Sequence, residues 1–325
     1  LRTRPGEAVV LPAGGGRGVK VCIVGCGAVG SLFAAHLAQL DDVEVWAYDL
    51  DREHVEAINE RGLRLSGAGE LVGRLRATSD PSELPAFDFG IVATKSLHTG
   101  PAIAATARSF ADGAVCSVQN GLGNEEAVAE HVREVIRGTT FPAGHVLEPG
   151  HVSWDTNGDT WIGPFEPSPA PAAKVELLAE TLTRAGMNTV ALADARGAQW
   201  TKVIFNAATN PIGALTGLTH GQVCEHDPSR RLVSGLVAEA LAVAEAEGIR
   251  LDSDPEEMID HAARVAYDHK ASMLQDVEAR RRTEVDSLNG AIVELGESNG
   301  IPTPLNQAIW ALLRALEDSW ERKAA

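Results

Sequence analysis

Between residues 19 and 120 the chain switches repeatedly between two patterns of apolar and polar positions. Val19 to Val24, Val43 to Tyr48, Phe89 to Ala93 and Ala114 to Val118 are short apolar runs that read as strands. The segments between them repeat with helical spacing. Ala28 to Leu40 sets Leu32, Phe33, Leu37 and Leu40 on roughly one side, and Asp51 to Arg61 is a polar helix with Val55 and Ile58 inward, closed by Gly62. Strands that alternate with helices predict parallel pairing through right-handed crossovers, hence a doubly wound sheet.

From Thr139 to Phe165 the texture changes to Gly, Pro, Trp and Thr, with the turn signal Asn157-Gly158, which predicts antiparallel pieces added to the sheet edge. A proline cluster from Pro164 to Pro171 leads into a helix, and Asn188 to Ala193 is a last strand. Residues 195 to 325 then read as successive helices, broken at Gly217 to Gly221, Gly248 to Pro255 and Gly300 to Pro304. The expected organisation is a leader at 1–18, a dinucleotide-binding domain at 19–193 and an all-α domain at 194–325. The leader carries Arg2, Arg4 and a Gly14-Gly15-Gly16 run and is expected to be flexible.

The first crossover carries the sharpest local signal. Gly25-Cys26-Gly27-Ala28-Val29-Gly30 fits G-x-G-x-x-G between a strand and a helix, the setting of a Rossmann-like dinucleotide fold. Gly25 allows the tight turn, Gly27 lets a pyrophosphate approach the backbone, and Gly30 lets helix and strand pack closely. The helix N-terminus supplies unpaired N–H groups. Asp49 lies 19 residues beyond Gly30, where an acid bonds a ribose 2′-hydroxyl and repels a 2′-phosphate. Charge alone therefore favours NAD; the competing reading is that Asp49 or Asp51 caps the next helix.

Lys202, Asn206 and Asn210 interrupt an apolar helix at spacings of four, so they share one face with a drift of only ~40° per step. They read as the wall of a wet pocket; a solvated stripe, or Asn side chains tying helices together, are the alternatives. Composition adds mainly exclusions. The net charge of −17 opposes nucleic acid and anionic membrane surfaces, and an anionic substrate would need a local basic pocket. Cys22, Cys26, Cys116 and Cys224 have no metal-like spacing, and no apolar run has signal-peptide or membrane-spanning length, so a cytoplasmic protein without metal is expected. Apolar positions on the C-terminal helices leave a homodimer open.

Taken together, GCGAVG at 25–30, ATKS at 93–96, QNGLGNEE at 119–126, WTKVIFNAATNPIGALT at 200–216, SMLQDV at 272–277 and RTEVDSLNG at 282–290 resemble the ketopantoate reductase family (2-dehydropantoate 2-reductases) over residues 19 to 320. The resemblance implies reduction of a small anionic 2-oxo acid by NAD(P)H. It implies Lys202 as the general acid and Glu284 as its acidic partner touching the substrate hydroxyl. It also implies Asn206, Asn210 and Ser272 on the substrate's carboxylate and polar groups, with Lys95 and Asn120 near nicotinamide and ribose. The family's usual NADP-dependent members carry a basic residue where this chain has Asp49, so the family favours NADP and the local charge favours NAD. An NAD-dependent dehydrogenase of another 2-hydroxy acid and a non-catalytic dinucleotide sensor are the rival readings.

Overall fold

A computed structural model describes residues 18–324, so all of the expected leader but Gly18 lies outside the described residues. The strands are β1 (Val19–Val24), β2 (Val43–Tyr48), β3 (Leu63–Gly67), β4 (Leu71–Gly73), β5 (Arg76–Thr78) and β6 (Phe89–Val92), followed by β7 (Ala114–Ser117), β8 (Val135–Thr140), β9 (Ala143–Glu148), β10 (His151–Thr156), β11 (Thr160–Pro164) and β12 (Thr189–Ala191). Eight of them form one sheet in the order β12-β11-β8-β7-β6-β1-β2-β5. All its pairings are parallel except β8 with β11. The expected fold class, a doubly wound sheet followed by an all-α region, is the one observed.

The edge pieces expected between Thr139 and Phe165 divide differently. Only β11 joins the large sheet, whereas β9 and β10 pair with β3 and β4 in a second sheet of order β4-β3-β10-β9. That sheet covers the outer side of helix α1 (Ala28–Leu37), which is therefore buried from Gly30 to Leu37 on every side, not on one. A helix that is apolar all round is one covered from both sides. The approach is close: a Cβ on Gly73 of β4 would lie 2.7 Å from the Ala35 Cα. His36 Nδ1–H donates to the Ala185 carbonyl at 3.0 Å, and its ring meets Trp154 of β10 edge-on at 4.7 Å. Burial holds this imidazole below its ordinary pKa, hence neutral.

The remaining crossovers use α2 (Arg52–Arg61), α3 (Thr99–Thr106), α4 (Asn124–Ala129) and α5 (Ala172–Arg184). Beyond β12 the chain is helical: α6 (Arg196–Thr216), α7 (His220–Glu225), α8 (Asp227–Ala246), α9 (Pro255–Val265), α10 (Ser272–Glu278), a π-helical turn at Asp286–Gly290, α11 (Ala291–Asn299) and α12 (Pro304–Ala324). As the breaks predict, Gly217 ends α6 in the left-handed region (φ 76°) and Asp254 caps α9 by accepting the Glu256 N–H. Among the described residues no helix is long and apolar enough to cross a membrane.

α6 is the spine of this region, packed against α8 and α10. Pro211 lies inside it, so the Ala207 carbonyl lacks its usual i+4 donor. Asn289, fully buried in the π-helical turn, donates its Nδ2–H to that carbonyl at 2.9 Å. The side chain thus fills the gap the proline leaves. Asn289→Leu is expected to lower stability by about 1–3 kcal/mol, because it strands a buried carbonyl. A urea midpoint equal to that of the wild type would disprove the role.

Candidate active site

The glycine loop between β1 and α1 has distinct requirements at its three glycines. Gly25 has φ 88°, and a Cβ there would meet the Thr94 backbone nitrogen at 2.8 Å. A Cβ on Gly30 would lie 2.0 Å from the Gly25 carbonyl oxygen, while one on Gly27 would meet nothing within 4 Å. Gly25 and Gly30 keep the loop tight; Gly27 leaves an open approach to the backbone. Gly27 caps α1 without a side-chain hydrogen bond, so the N–H groups of Ala28, Val29 and Gly30 have no intrahelical partners. An uncapped helix start behind an open glycine fits a dinucleotide pyrophosphate.

Gly30→Ala is therefore expected to destabilise the fold by about 1–3 kcal/mol through overpacking. Gly27→Ala should leave the melting temperature unchanged and weaken NAD(P)H binding, measured by fluorescence titration. Equal effects of the two substitutions on melting temperature would refute this division of roles.

Asp49, at the end of β2, binds the loop directly. Its Oδ2 accepts the Cys26 N–H at 2.7 Å and its Oδ1 accepts the Asp51 N–H at 2.9 Å. Asp51, not Asp49, caps α2 by accepting the His54 N–H. The Cys26 amide is thus already engaged, and its thiol is fully buried and pushed up to about 12 by burial. All four cysteines are free.

Helix α6 carries Lys202 and Asn206. The half-buried Lys202 ammonium donates to the Thr140 carbonyl at the end of β8 and lies 5.1 Å from the centre of the Phe141 ring. Burial lowers its pKa to about 8, and the charge of Glu284 opposes that shift. Asn206 Nδ2 donates to Asn120 Oδ1 at 3.4 Å. Asn210, buried one turn further on, accepts from the Thr209 hydroxyl at 3.4 Å. Ser272 opens α10 at an exposed position.

Glu284 is buried and forms no direct bond with Lys202. Instead its carboxylate accepts the Asn120 amide at 3.3 Å and the Ser96 hydroxyl at 3.3 Å, and stands 4.0 Å from Lys95. The stronger partner of Lys95 is Asp276, a buried carboxylate of α10 at 2.5 Å that also accepts from Arg281 at 3.2 Å. Ser287 completes the seam, with its hydroxyl on Ser96 at 3.1 Å and its carbonyl accepting the Leu122 N–H at 2.8 Å. The loops after β6 and β7 are thereby joined to the segment after α10. Lys95, Ser96, Asn120, Asn206 and Glu284 form one connected polar cluster, and the charge of Glu284 acts on Lys202 without a bond to it, whereas Asn210 and Ser272 form no hydrogen bond with the cluster.

Sequence reasoning missed Thr140, Phe141, Ser96 and Asp276. Thr140 acts through its backbone carbonyl, which no side-chain pattern reveals. Asp276 lies inside a quoted motif, but its partner Lys95 is 181 residues away.

The descriptions "Ketopantoate reductase PanE/ApbA" and "Ketopantoate reductase PanE/ApbA C terminal" match residues 21–167 and 194–317 respectively. A 2-dehydropantoate 2-reductase from Pyrococcus horikoshii is 35% identical over 303 residues, covering 92% of this chain and 98% of that protein. One from Archaeoglobus fulgidus is 34% identical over 298 residues, covering 92% and 98%. The solved structure of a PanE/ApbA family ketopantoate reductase from Ralstonia eutropha JMP134 is similar with a TM-score of 0.85 and 32% identity, covering 93% of this chain and all of that one. D-mandelate dehydrogenase, solved with NADH and anilino(oxo)acetate, gives 0.84 and 26% over 93% and 99%. With matches to both halves and relatives of this identity over nearly their whole length, the chain belongs to the ketopantoate reductase family.

Proposed function

We propose that this protein reduces a small anionic 2-oxo acid with NADH, 2-dehydropantoate being the first candidate, to give the 2-hydroxy acid. The observation that carries the reading is Lys202: a half-buried ammonium held on the Thr140 carbonyl beside the Phe141 ring, its pKa lowered by burial to about 8. When bound, the reduced nicotinamide supplies the hydride. Gly25, Cys26, Gly27, Ala28, Val29, Gly30, Asp49, Lys95 and Asn120 would hold the dinucleotide, Cys26 by shaping the loop since its amide is bonded to Asp49.

Negative charge develops on the carbonyl oxygen as the carbon is reduced, and Lys202 gives that oxygen its proton. The ammonium has three donors and Thr140 takes one, so two are available to the substrate. Glu284, fixed by Asn120 and Ser96, accepts from the substrate hydroxyl. Asn206, Asn210 and Ser272 offer carboxamide and hydroxyl donors to the carboxylate and the remaining polar groups.

The preference for NADH rests on Asp49, whose carboxylate is anchored to the loop amide beside the expected ribose. The same feature, with the likeness to D-mandelate dehydrogenase, favours a second reading: an NAD-dependent dehydrogenase of another 2-hydroxy acid on this scaffold. Steady-state kinetics with 2-dehydropantoate and a panel of other 2-oxo acids, each with NADH and NADPH, separates the two. Fastest kcat/KM on 2-dehydropantoate with NADH supports the first reading, and a clear preference for another acid replaces it with the second. Dinucleotide binding with no turnover on any acid removes both.

A further inference from the structure

Behind the reacting face, a second polar group is buried where the two halves of the chain meet. Glu125, in the first turn of α4, is 1% exposed, and Gln199, in the first turn of α6, is 3% exposed. Gln199 Nε2–H donates to Glu125 Oε1 at 2.7 Å, but Gln199 Oε1 is buried without a partner. The other titratable groups facing the carboxyl are the buried Cys116 thiol on β7, Arg137 on β8 and the exposed Glu126 beside it on α4. The charge of Arg137 opposes the effect of burial on the carboxyl without a hydrogen bond to it; its guanidinium lies over the Phe165 ring at 5.0 Å, and its Nε is without a partner.

A carboxamide that has given its N–H to a buried carboxyl while its oxygen lacks a donor has the geometry of half of a cyclic acid–amide pair. A proton on Glu125 supplies the other half, since the acid O–H donates and the two groups then satisfy each other. Burial raises the Glu125 pKa to about 7, so the neutral acid is well populated at neutral pH.

Both partners adjoin the site. Gln199 lies one turn before Lys202 on α6, and Glu125 follows Asn124, whose Nδ2–H donates to the Asn120 carbonyl at 3.0 Å. We propose that Glu125 is a positioning residue: its protonated carboxyl pairs with the Gln199 carboxamide through two hydrogen bonds and clamps the Lys202 helix against the loop bearing Asn120. Deprotonation removes one of the two bonds and leaves a charge in the seam, so the alignment of Lys202 with Asn120 depends on that proton.

The kinetic consequence rests on the role proposed for Lys202, whereas the clamp has its own readout. Infrared difference spectra of the full chain, titrated from about pH 5.5 to about pH 9, bracket the expected ionisation. The wild type should lose a protonated-carboxyl band with a midpoint near 7, and Glu125→Gln should lack that band. Its carboxamide can form both bonds at any pH. Glu125→Gln should therefore retain activity and show only the ionisation near 8 in its kcat/KM profile for reduction, where the wild type shows two. Glu125→Ala should lower kcat by about 10²-fold, the scale of a small misplacement of catalytic groups. A wild type with no carboxyl band titrating in this range, or a band that survives in Glu125→Gln, overturns the proposal whatever the kinetics. So does a Glu125→Ala enzyme with the kcat and pH profile of the wild type. Full activity in Lys202→Met would instead refute the reading of function and leave the spectral test of the clamp intact.

Discussion

Lys202→Met is expected to lower kcat for 2-oxo acid reduction by about 10²–10⁴-fold, the usual value of one positioned proton donor. Methionine keeps an unbranched stem and removes the ammonium that lies over the Phe141 ring, and with it the proton. Lys202→Arg makes a sharper control: it restores positive charge, but a guanidinium does not release its proton at working pH. It should recover substrate affinity far better than turnover. The pH dependence follows from the burial of the ammonium. With the seam kept neutral by Glu125→Gln, reduction needs the protonated ammonium, so the rate falls as pH rises through about 8, whereas oxidation of the 2-hydroxy acid needs the free amine and rises over the same interval. Opposite slopes in the two directions, both lost in Lys202→Met, are the expected signature. Parallel slopes would assign the ionisation to another group.

The second large effect concerns the coenzyme. Asp49→Asn is expected to shift the ratio of kcat/KM for NADPH over NADH by about 10²-fold toward NADPH. A hydrogen bond to a charged group contributes about 1.5–3 kcal/mol, lost here for the 2′-hydroxyl. Repulsion of a 2′-phosphate by a carboxylate, of comparable size at a partly solvated site, is relieved by the same substitution. Asparagine is preferable to arginine because its carbonyl still accepts one of the two N–H groups, from Cys26 and Asp51, that Asp49 holds. Arginine would release both and confound coenzyme choice with collapse of the loop. An unchanged ratio would show that the carboxylate serves only to brace the glycine turn.

What the sequence displays follows the range of the interaction concerned. The glycine fingerprint, the alternation of strands and helices, and the breaks at Gly217 and Asp254 depend on neighbours a few positions away, so local pattern reveals them. The pairing of β3 with β10 joins Arg64 to His151, and nothing in either segment names its partner; a Gly- and Trp-rich stretch looks the same on one sheet edge as on another. The complete enclosure of α1 was hidden for the same reason, since its covering strands are remote in sequence. At the site, spacing shows Lys202 and Asn206 on one face of a helix. It does not show that Glu284 is held by Ser96 and Asn120, or that Lys95 is tied to Asp276, because those contacts form only once the two halves of the chain meet.

Sealing α1 between two sheets also has an electrical consequence. A helix carries about half an elementary charge of positive potential at its start, and water along its flanks ordinarily screens much of it. Here Leu32, Phe33, Leu37 and their neighbours are shut off from solvent on all sides. The field therefore spreads little sideways and emerges where the helix opens, at Gly27 and Ala28. Within a chain of net charge −17, that insulated outlet gives an anion a local point of attraction that the protein as a whole denies it.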